Sequence, residues 1–215
     1  MSARPLNRIS TVDALTESLR TQILNGELAP GTPLREVELA AAYGVGRYSL
    51  RAAMQALVHE GLLRHEPNRG VFVPELSAAD VEDLFILRIA LETEAARRVV
   101  EARADLSGME TALLEMEAIT DERPWDQIVD SDLRFHRELI EAVGSERMRR
   151  TFVSLQSELR LLLAQLKPHY DRPDTLGAEH RIVYDAVTGQ RAAPAVKRVR
   201  EHLELGIEDI LSTLN

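Results

Sequence analysis

The chain contains no cysteine, so disulfides and thiolate metal ligands are excluded. Its apolar runs fall far short of the roughly 20 residues needed to cross a bilayer. The opening Met1-Ser2-Ala3-Arg4-Pro5 has no hydrophobic export segment. These absences predict a soluble, cytoplasmic protein with no membrane partner. No repeat or low-complexity tract is present, and no Gly-rich phosphate loop, nucleophile elbow or His-Glu-x-x-His pattern is found. With no identifiable general base either, the sequence is not expected to be an enzyme. What remains is 215 residues of ordinary globular composition, 45% hydrophobic and 28% charged, a length that suits two modest domains.

Charge is short of one sign. The net value of −9 argues at first sight against nucleic acid, because phosphate binding needs clustered Lys and Arg. Its distribution reverses the impression. Residues 1–76 hold eight arginines, no lysine and eight acids, and are neutral, while the other 18 basic against 27 acidic residues carry the whole deficit. A neutral module can still present a basic face, with an affinity that depends on dimerisation and salt.

The first part reads as short helices. Val12, Leu15, Leu19, Ile23 and neighbouring Leu24 recur at near-helical spacing between Ser10 and Asn25, with Asp13 and Glu17 near the start and Gly26 as the stop. Gly26 to Pro33 is a turn-rich connector. A helix over about 36–43 breaks at Gly44-Val45-Gly46, and a second runs from Arg47 to about Glu60, the short-turn-short form of a helix-turn-helix. Leu62 to Glu66 and Gly70 to Pro74 flank Pro67-Asn68-Arg69 as a small β-hairpin, a wing. Leu76-Ser77 is the domain boundary, with Ser77 capping a long helix. From 77 to 215 only helical blocks follow, over about 78–103, 107–120, 124–143, 145–167, 175–188 and 192–214. Short breaks between them predict an all-α antiparallel bundle. The fold class is therefore mainly α, a winged helix-turn-helix (1–76) followed by a helical bundle (77–215).

Two residue sets carry chemistry. Arg47 and Arg51 lie four apart on the second helix of the helix-turn-helix, so both guanidinium forks share one face, with Tyr48 and Ser49 between them. Taken alone, that spacing also fits a solvated face. In the bundle, Asp132 and His136 are one helical turn apart and can converge on a single ion. His180 and His202 stand equidistant from the Gly189 to Pro194 break, which centres near residue 191, so an antiparallel hairpin sets their imidazoles at one height. Three imidazoles and a carboxylate suit zinc, nickel, manganese or iron(II) and disfavour calcium. Such a site could be a closed tetrahedral structural one, or could keep open positions for a ligand. Arg134 and Arg181 point away from the ligand direction. His169, beside Pro168 in a predicted loop, and His59 and His65 join no pattern.

The N-terminal part resembles the winged helix-turn-helix of the GntR family of bacterial regulators. The resemblance runs through Leu19-Arg20-x-x-Ile23, Gly26-x-Leu28-x-Pro30-Gly31-x-x-Leu34, Leu39-Ala40, Gly44-Val45-x-Arg47, Leu50-Arg51, Leu57, Glu60-Gly61-Leu62 and Asn68-Arg69-Gly70-x-x-Val73. It implies a recognition helix reading a double-stranded DNA operator through Arg47 and Arg51, with Tyr48 and Ser49 nearby and Arg69 and Gly70 at the wing tip. Gly46 replaces the usual Ser cap, Tyr48-Ser49 the common Thr-Pro, and Ala52 and Met54 the frequent Glu and Leu, so the operator sequence is not transferable.

Residues from about 78 to 212 resemble the FCD effector domain of the FadR subfamily, through Asp132-x-x-Phe135-His136, Glu179-His180-Arg181-Ile182 and His202. Six helices match its shorter, vanillate-regulator-like branch. This implies a divalent metal, zinc foremost, on Asp132, His136, His180 and His202, where a small carboxylate effector binds. Arg88, in the pattern Arg88-x-x-x-Glu92, would clamp that effector, or else pair with Glu92 in a salt bridge. A homodimer acting as repressor or activator is the expected assembly.

Overall fold

The computed structural model describes residues 10–119, 124–166 and 175–214. The chain divides into two compact units, Met1–Glu75 and Leu76–Asn215.

In the first unit, α1 (Thr11–Leu24), α2 (Glu36–Tyr43) and α3 (Arg47–His59) precede β1 (Arg64–Glu66) and β2 (Gly70–Phe72). Ser10 starts α1 with a reciprocal cap: its Oγ accepts from the Asp13 N–H at 3.0 Å, and Asp13 Oδ2 accepts from the Ser10 N–H at 3.4 Å. Leu15, Leu19 and Ile23 then bury one stripe of α1 against Leu50, Ala53, Met54 and Leu57 of α3. Each such side chain, taken fully out of water, contributes about 1.5–3 kcal/mol. Arg20 of α1 grips Glu60 just past α3, Nε to Oε2 at 3.1 Å and Nη2 to Oε1 at 2.8 Å. Tyr43 at the end of α2 accepts from Gln22 Nε2 at 2.5 Å, tying α2 to α1. The turn into α3 uses Gly44 in the left-handed region (φ 63°), where a Cβ would be strained.

The β-hairpin is antiparallel, pairing Arg64 with Phe72, His65 with Val71 and Glu66 with Gly70. Residues read from sequence as a plain connector also join it. The Gly31 N–H donates to the Val73 carbonyl at 2.8 Å, Leu34 N–H to Val71 at 2.8 Å, and Val73 N–H to Thr32 at 3.1 Å. Pro33 bridges Phe72. The chain ahead of α2 thus pins the wing to the helices by backbone hydrogen bonds, which side-chain periodicity does not announce.

The second unit holds α4 (Ala78–Ala102), α5 (Ser107–Glu117), α6 (Trp125–Glu141), α7 (Glu146–Leu166), α8 (Leu176–Val187) and α9 (Ala192–Leu214). Ser77 and Asp80 form a second reciprocal cap at α4. The α4 helix packs along α9, α5 contacts α6 and α8, α6 contacts α7, and α8 lies on α9. Phe85, Phe135 and Phe152 are fully buried among Met109, Leu113, Met116 and Leu139. Close approach of α8 to α5 depends on Gly177, whose added Cβ would stand 2.9 Å from the Glu117 Cα. The α5 helix stops at Glu117 rather than near 120, with Ala118 as its cap. The predicted loops at 121–123 and 168–173, His169 included, lie outside the described residues. Among the described residues no helix is long and apolar enough to cross a membrane.

Candidate nucleic-acid interface and candidate metal centre

The first candidate surface is the start of α3. Gly46 caps it in extended geometry (φ −70°, ψ 143°) with no side-chain acceptor, so the first N–H groups of the helix have no side-chain cap. Arg47 and Tyr48 follow, fully outside the core; Tyr48 is 86% exposed, an unusual place for an aromatic ring. Ser49 is half-buried. Arg51 is exposed one turn on, but its Nε is engaged by Glu36 Oε2 of α2 at 2.6 Å. At the wing tip Asn68 (φ 66°) and Gly70 (φ 83°) turn the chain through left-handed conformations. Arg69 lies over the Phe72 ring at 4.2 Å and pairs with Glu66 at 3.2 Å. Arg47, Tyr48 and Arg51 thus share an exposed helix face, with Arg69 and Gly70 at the exposed hairpin tip. His59 and His65 are exposed and join neither group.

The second candidate site is inside the helical unit. Ile128, Val129, Leu133, Leu139 and Ile140 anchor α6 in the core, which turns Asp132 and His136 inward one turn apart. The α8–α9 hairpin brings His180 and His202 together with ring centroids 4.5 Å apart, at one height across the turn. His136 stacks near His202 at 5.4 Å. One ring nitrogen from each of His136, His180 and His202 lies within 4.8 Å of the other two. Asp132 Oδ1 adds an oxygen 3.1 Å from His180 Nε2 and 3.8 Å from His136 Nε2. Arg134 and Arg181 do face away, pairing with Glu115 and Glu117 on the outside.

Hydrogen bonds on the far side of two rings decide which atoms face the centre. His180 Nδ1 lies 2.8 Å from the Leu176 carbonyl, which only accepts, so the proton sits on Nδ1. His136 Nδ1 lies 2.6 Å from Glu92 Oε2. Burial alone would push the Glu92 carboxyl up, but the charges of His136 and Arg88 and their hydrogen bonds bring it below its ordinary range. Glu92 is therefore an acceptor, and the His136 proton is also on Nδ1. The two Nε2 atoms then face each other at 3.2 Å, with the Asp132 carboxylate beside them. Two imidazole nitrogens and a carboxylate oxygen converging in this way, with His202 beside them, are a nitrogen-rich donor set that fits a divalent transition metal.

The electrostatics act on Asp132, His136 and His202 in the direction that metal binding needs. Burial, with the Arg88 charge, holds the His136 imidazole below its usual value despite Glu92 and Asp132. Burial, with the charges of His180 and His136, holds His202 well below it. For Asp132, burial opposes ionisation, but the His180 hydrogen bond and the charges of His136, His180 and Arg88 keep the carboxyl below its usual range. An imidazole with a lowered pKa and an ionised carboxylate are the states in which such side chains bind a metal.

Arg88 is 5% exposed, and its Nε donates to Glu92 Oε1 at 2.7 Å. Its two terminal amines have no hydrogen-bond acceptor among the described residues. Sequence reasoning treated Glu92 only as a partner for Arg88. Its bond to His136 was missed, although an Arg/Glu pair one turn apart inside the otherwise buried stripe Val81, Leu84, Phe85, Ala95, Ala96 was the available signal.

Comparison with known proteins gives the family. Residues 11–73 match the model for bacterial regulatory proteins of the gntR family, and residues 83–205 match the FCD domain. The HTH-type transcriptional regulator YdhC of Bacillus subtilis is 26% identical over 91% of this chain and 89% of its own length. The HTH-type transcriptional repressor RspR of Escherichia coli is 27% identical over 86% of this chain and 82% of its own. A crystal structure of a GntR transcriptional regulator from Rhodococcus sp. RHA1 superposes with a TM-score of 0.78 at 28% identity, covering 94% of this chain and 97% of that one. A helix-turn-helix with exposed arginines, joined to a helical unit of matching type, is therefore more than a shared shape: the chain belongs to the GntR family, carries an FCD domain, and is a DNA-binding transcriptional regulator rather than an enzyme.

Proposed function

We propose that residues 1–76 read a DNA operator and that residues 77–215 modulate the reading through a small carboxylic acid bound at a divalent metal, in a cytoplasmic homodimer. The observation that carries the metal is the convergence of His136 Nε2, His180 Nε2 and Asp132 Oδ1 within 3.8 Å of one another. Asp132, His136, His180 and His202 would hold the ion, zinc foremost by its donor set, with nickel, manganese and iron(II) as alternatives. Such an ion, when bound, supplies a positive pole for a carboxylate oxygen.

The residues of the chain do the rest. Arg88 offers its terminal amines to the same carboxylate, at a buried position where a charge-assisted fork is strong. In α4 they stand on the helix that begins at Ala78, directly after the first unit. An acid engaging Arg88 therefore acts on the element through which the two units are covalently joined. In a homodimer reading paired half-sites, a coupling of about 1–3 kcal/mol is enough for a genetic switch. Arg47 and Arg51 supply forks for base edges or phosphates, with Tyr48 and Ser49 beside them, and Arg69 and Gly70 carry the wing tip to the backbone.

Elemental mass spectrometry of purified protein is the direct test. One transition metal per chain is expected in the wild type and less than about a tenth in the His136→Ala/His202→Ala variant. Calorimetry of metal-loaded protein with a panel of small mono- and dicarboxylates then identifies the acid, and the double variant keeps operator binding while losing the response. Equal metal content in both proteins would refute the assignment.

A further inference from the structure

Of the groups around the histidine cluster, Glu92 is the one whose position neither metal ligation nor effector clamping explains. It is completely buried, and a carboxylate there is costly unless both oxygens are bonded. Each oxygen has one donor. Oε1 accepts from Arg88 Nε at 2.7 Å, and Oε2 faces His136 Nδ1 at 2.6 Å. An ion pair meant only to neutralise Arg88 would turn both oxygens to its fork. Instead the second oxygen addresses the far nitrogen of an imidazole whose near nitrogen points into the cluster.

We propose that Glu92 is a positioning residue: it fixes the His136 ring and its Nδ1–H tautomer, so that the Nε2 lone pair is the atom presented to the metal. The inference rests on the reading that the cluster holds a metal. The three rings are treated unequally. The Leu176 carbonyl orients His180 from within its own helix. For His136 the orienting group comes from a different helix, α4, and it is held in turn by Arg88. Metal affinity and the state of Arg88 are thereby joined through one carboxylate, Arg88 to Glu92 to His136, without either end touching the other. A carboxylate behind a ligating imidazole also raises its basicity, and removal of such a partner weakens metal binding by about 10- to 100-fold.

Glu92→Gln separates this role from a packing one. The Gln amide has one acceptor and one donor group. The Arg88 Nε–H needs the oxygen, so the NH₂ faces His136 Nδ1, which must then accept. The ring proton moves to Nε2 and closes the ligand position. Full-length wild-type and variant proteins, freed of metal, are titrated with cobalt(II) and followed by its visible absorption. The expected result is a dissociation constant about 10- to 100-fold larger for the variant. Long-range ¹H–¹⁵N spectra of the metal-free histidine rings should show His136 as Nδ1–H in the wild type and Nε2–H in the variant. Loss of packing alone would lower stability without moving the ring proton. Cobalt affinities within twofold of each other overturn the role of Glu92 while leaving the metal reading intact. Wild-type protein that takes up no cobalt overturns both. If the variant does not fold, the wild-type spectrum decides: a His136 proton on Nε2 refutes the assignment, and one on Nδ1 supports it.

Discussion

Without metal, the histidine cluster should make the helical unit sensitive to mild acid. His136 and His202 are both held below the ordinary imidazole value, by burial first and then by neighbouring positive charge. Unfolded, each titrates near 6.5. The unfolded chain therefore binds more protons than the folded one once the pH drops through that value, and stability falls as pH falls. Between pH 7.5 and 5.5, one histidine that stays neutral in the fold removes about 1.4 kcal/mol, and two remove about 2.7 kcal/mol. Glu92 and Asp132 are also lowered, but their contribution is present above the carboxylate range and lost only below about pH 4.5, outside this window. Against a typical total of about 5–15 kcal/mol the histidine loss is large. The single tryptophan makes it measurable in one unit: Trp125 starts α6, and its indole N–H donates to the Leu163 carbonyl of α7 at 2.9 Å. In chelator, the urea midpoint followed by Trp125 fluorescence should fall by about 1–3 M from pH 7.5 to 5.5, given slopes of about 1–3 kcal/mol per molar. His202→Ala should halve the fall. A midpoint that moves by less than about 0.3 M, or a variant with the full fall, would show that these rings do not stay neutral in the fold.

Other changes test the two surfaces separately. Arg47→Ala and Arg51→Ala should each weaken specific operator binding by about 1–3 kcal/mol, roughly 5- to 150-fold, in gel-shift titrations at fixed salt. Both side chains are exposed, so thermal melts should be unchanged; undiminished affinity would remove them from the interface. Glu36→Gln releases the Arg51 fork from its 2.6 Å partner and should tighten DNA binding by up to about fivefold, since an exposed pair is worth about 0–1 kcal/mol; weaker binding would mean that Glu36 positions Arg51 instead. Gly177→Ala places a Cβ 2.9 Å from the Glu117 Cα, an overpacking cost of about 1–3 kcal/mol set against at most about 1 kcal/mol of helix propensity. Its melting temperature should fall; a rise would show that α8 moves freely off α5.

Much of the architecture was legible because the features that announce it are local. Ser10 and Ser77 cap helices that start one residue later, and Gly26 and Gly44 take the positive φ their positions as helix stops suggested. The cluster was legible for a less local reason. Asp132 and His136 follow from helix geometry, and His180 and His202 from the symmetry of a hairpin about its turn, which the 4.5 Å ring separation reproduces. Backbone pairing of residues 31–34 with the wing was not visible, because hydrogen bonds between main chains leave no trace in side-chain type. Glu92 was half visible: its i, i+4 relation to Arg88 is written in the sequence, but its second oxygen meets a residue 44 positions away, and no periodicity within α4 encodes that meeting.

The neutrality of the first 76 residues becomes intelligible once the arginines are sorted by what they touch. Arg20 is tied to Glu60 between α1 and α3, and Arg35 pairs locally with Glu38 at the start of α2. Arg47 alone among Arg47, Arg51 and Arg69 has no carboxylate partner among the described residues, while Arg51 and Arg69 each carry one within 3.2 Å. A phosphate or base edge must displace Glu36 and Glu66 before those two forks are free. Each exchange costs little, because exposed pairs are weak, but together they lower the sequence-independent attraction that would otherwise hold the protein on any duplex. With Arg51 and Arg69 already paired among the described residues, useful affinity comes mainly when two copies bind paired half-sites at once. The helical domain, which carries the whole net charge of −9, adds no net attraction for the duplex, so affinity for DNA rests on the arginines of the first unit.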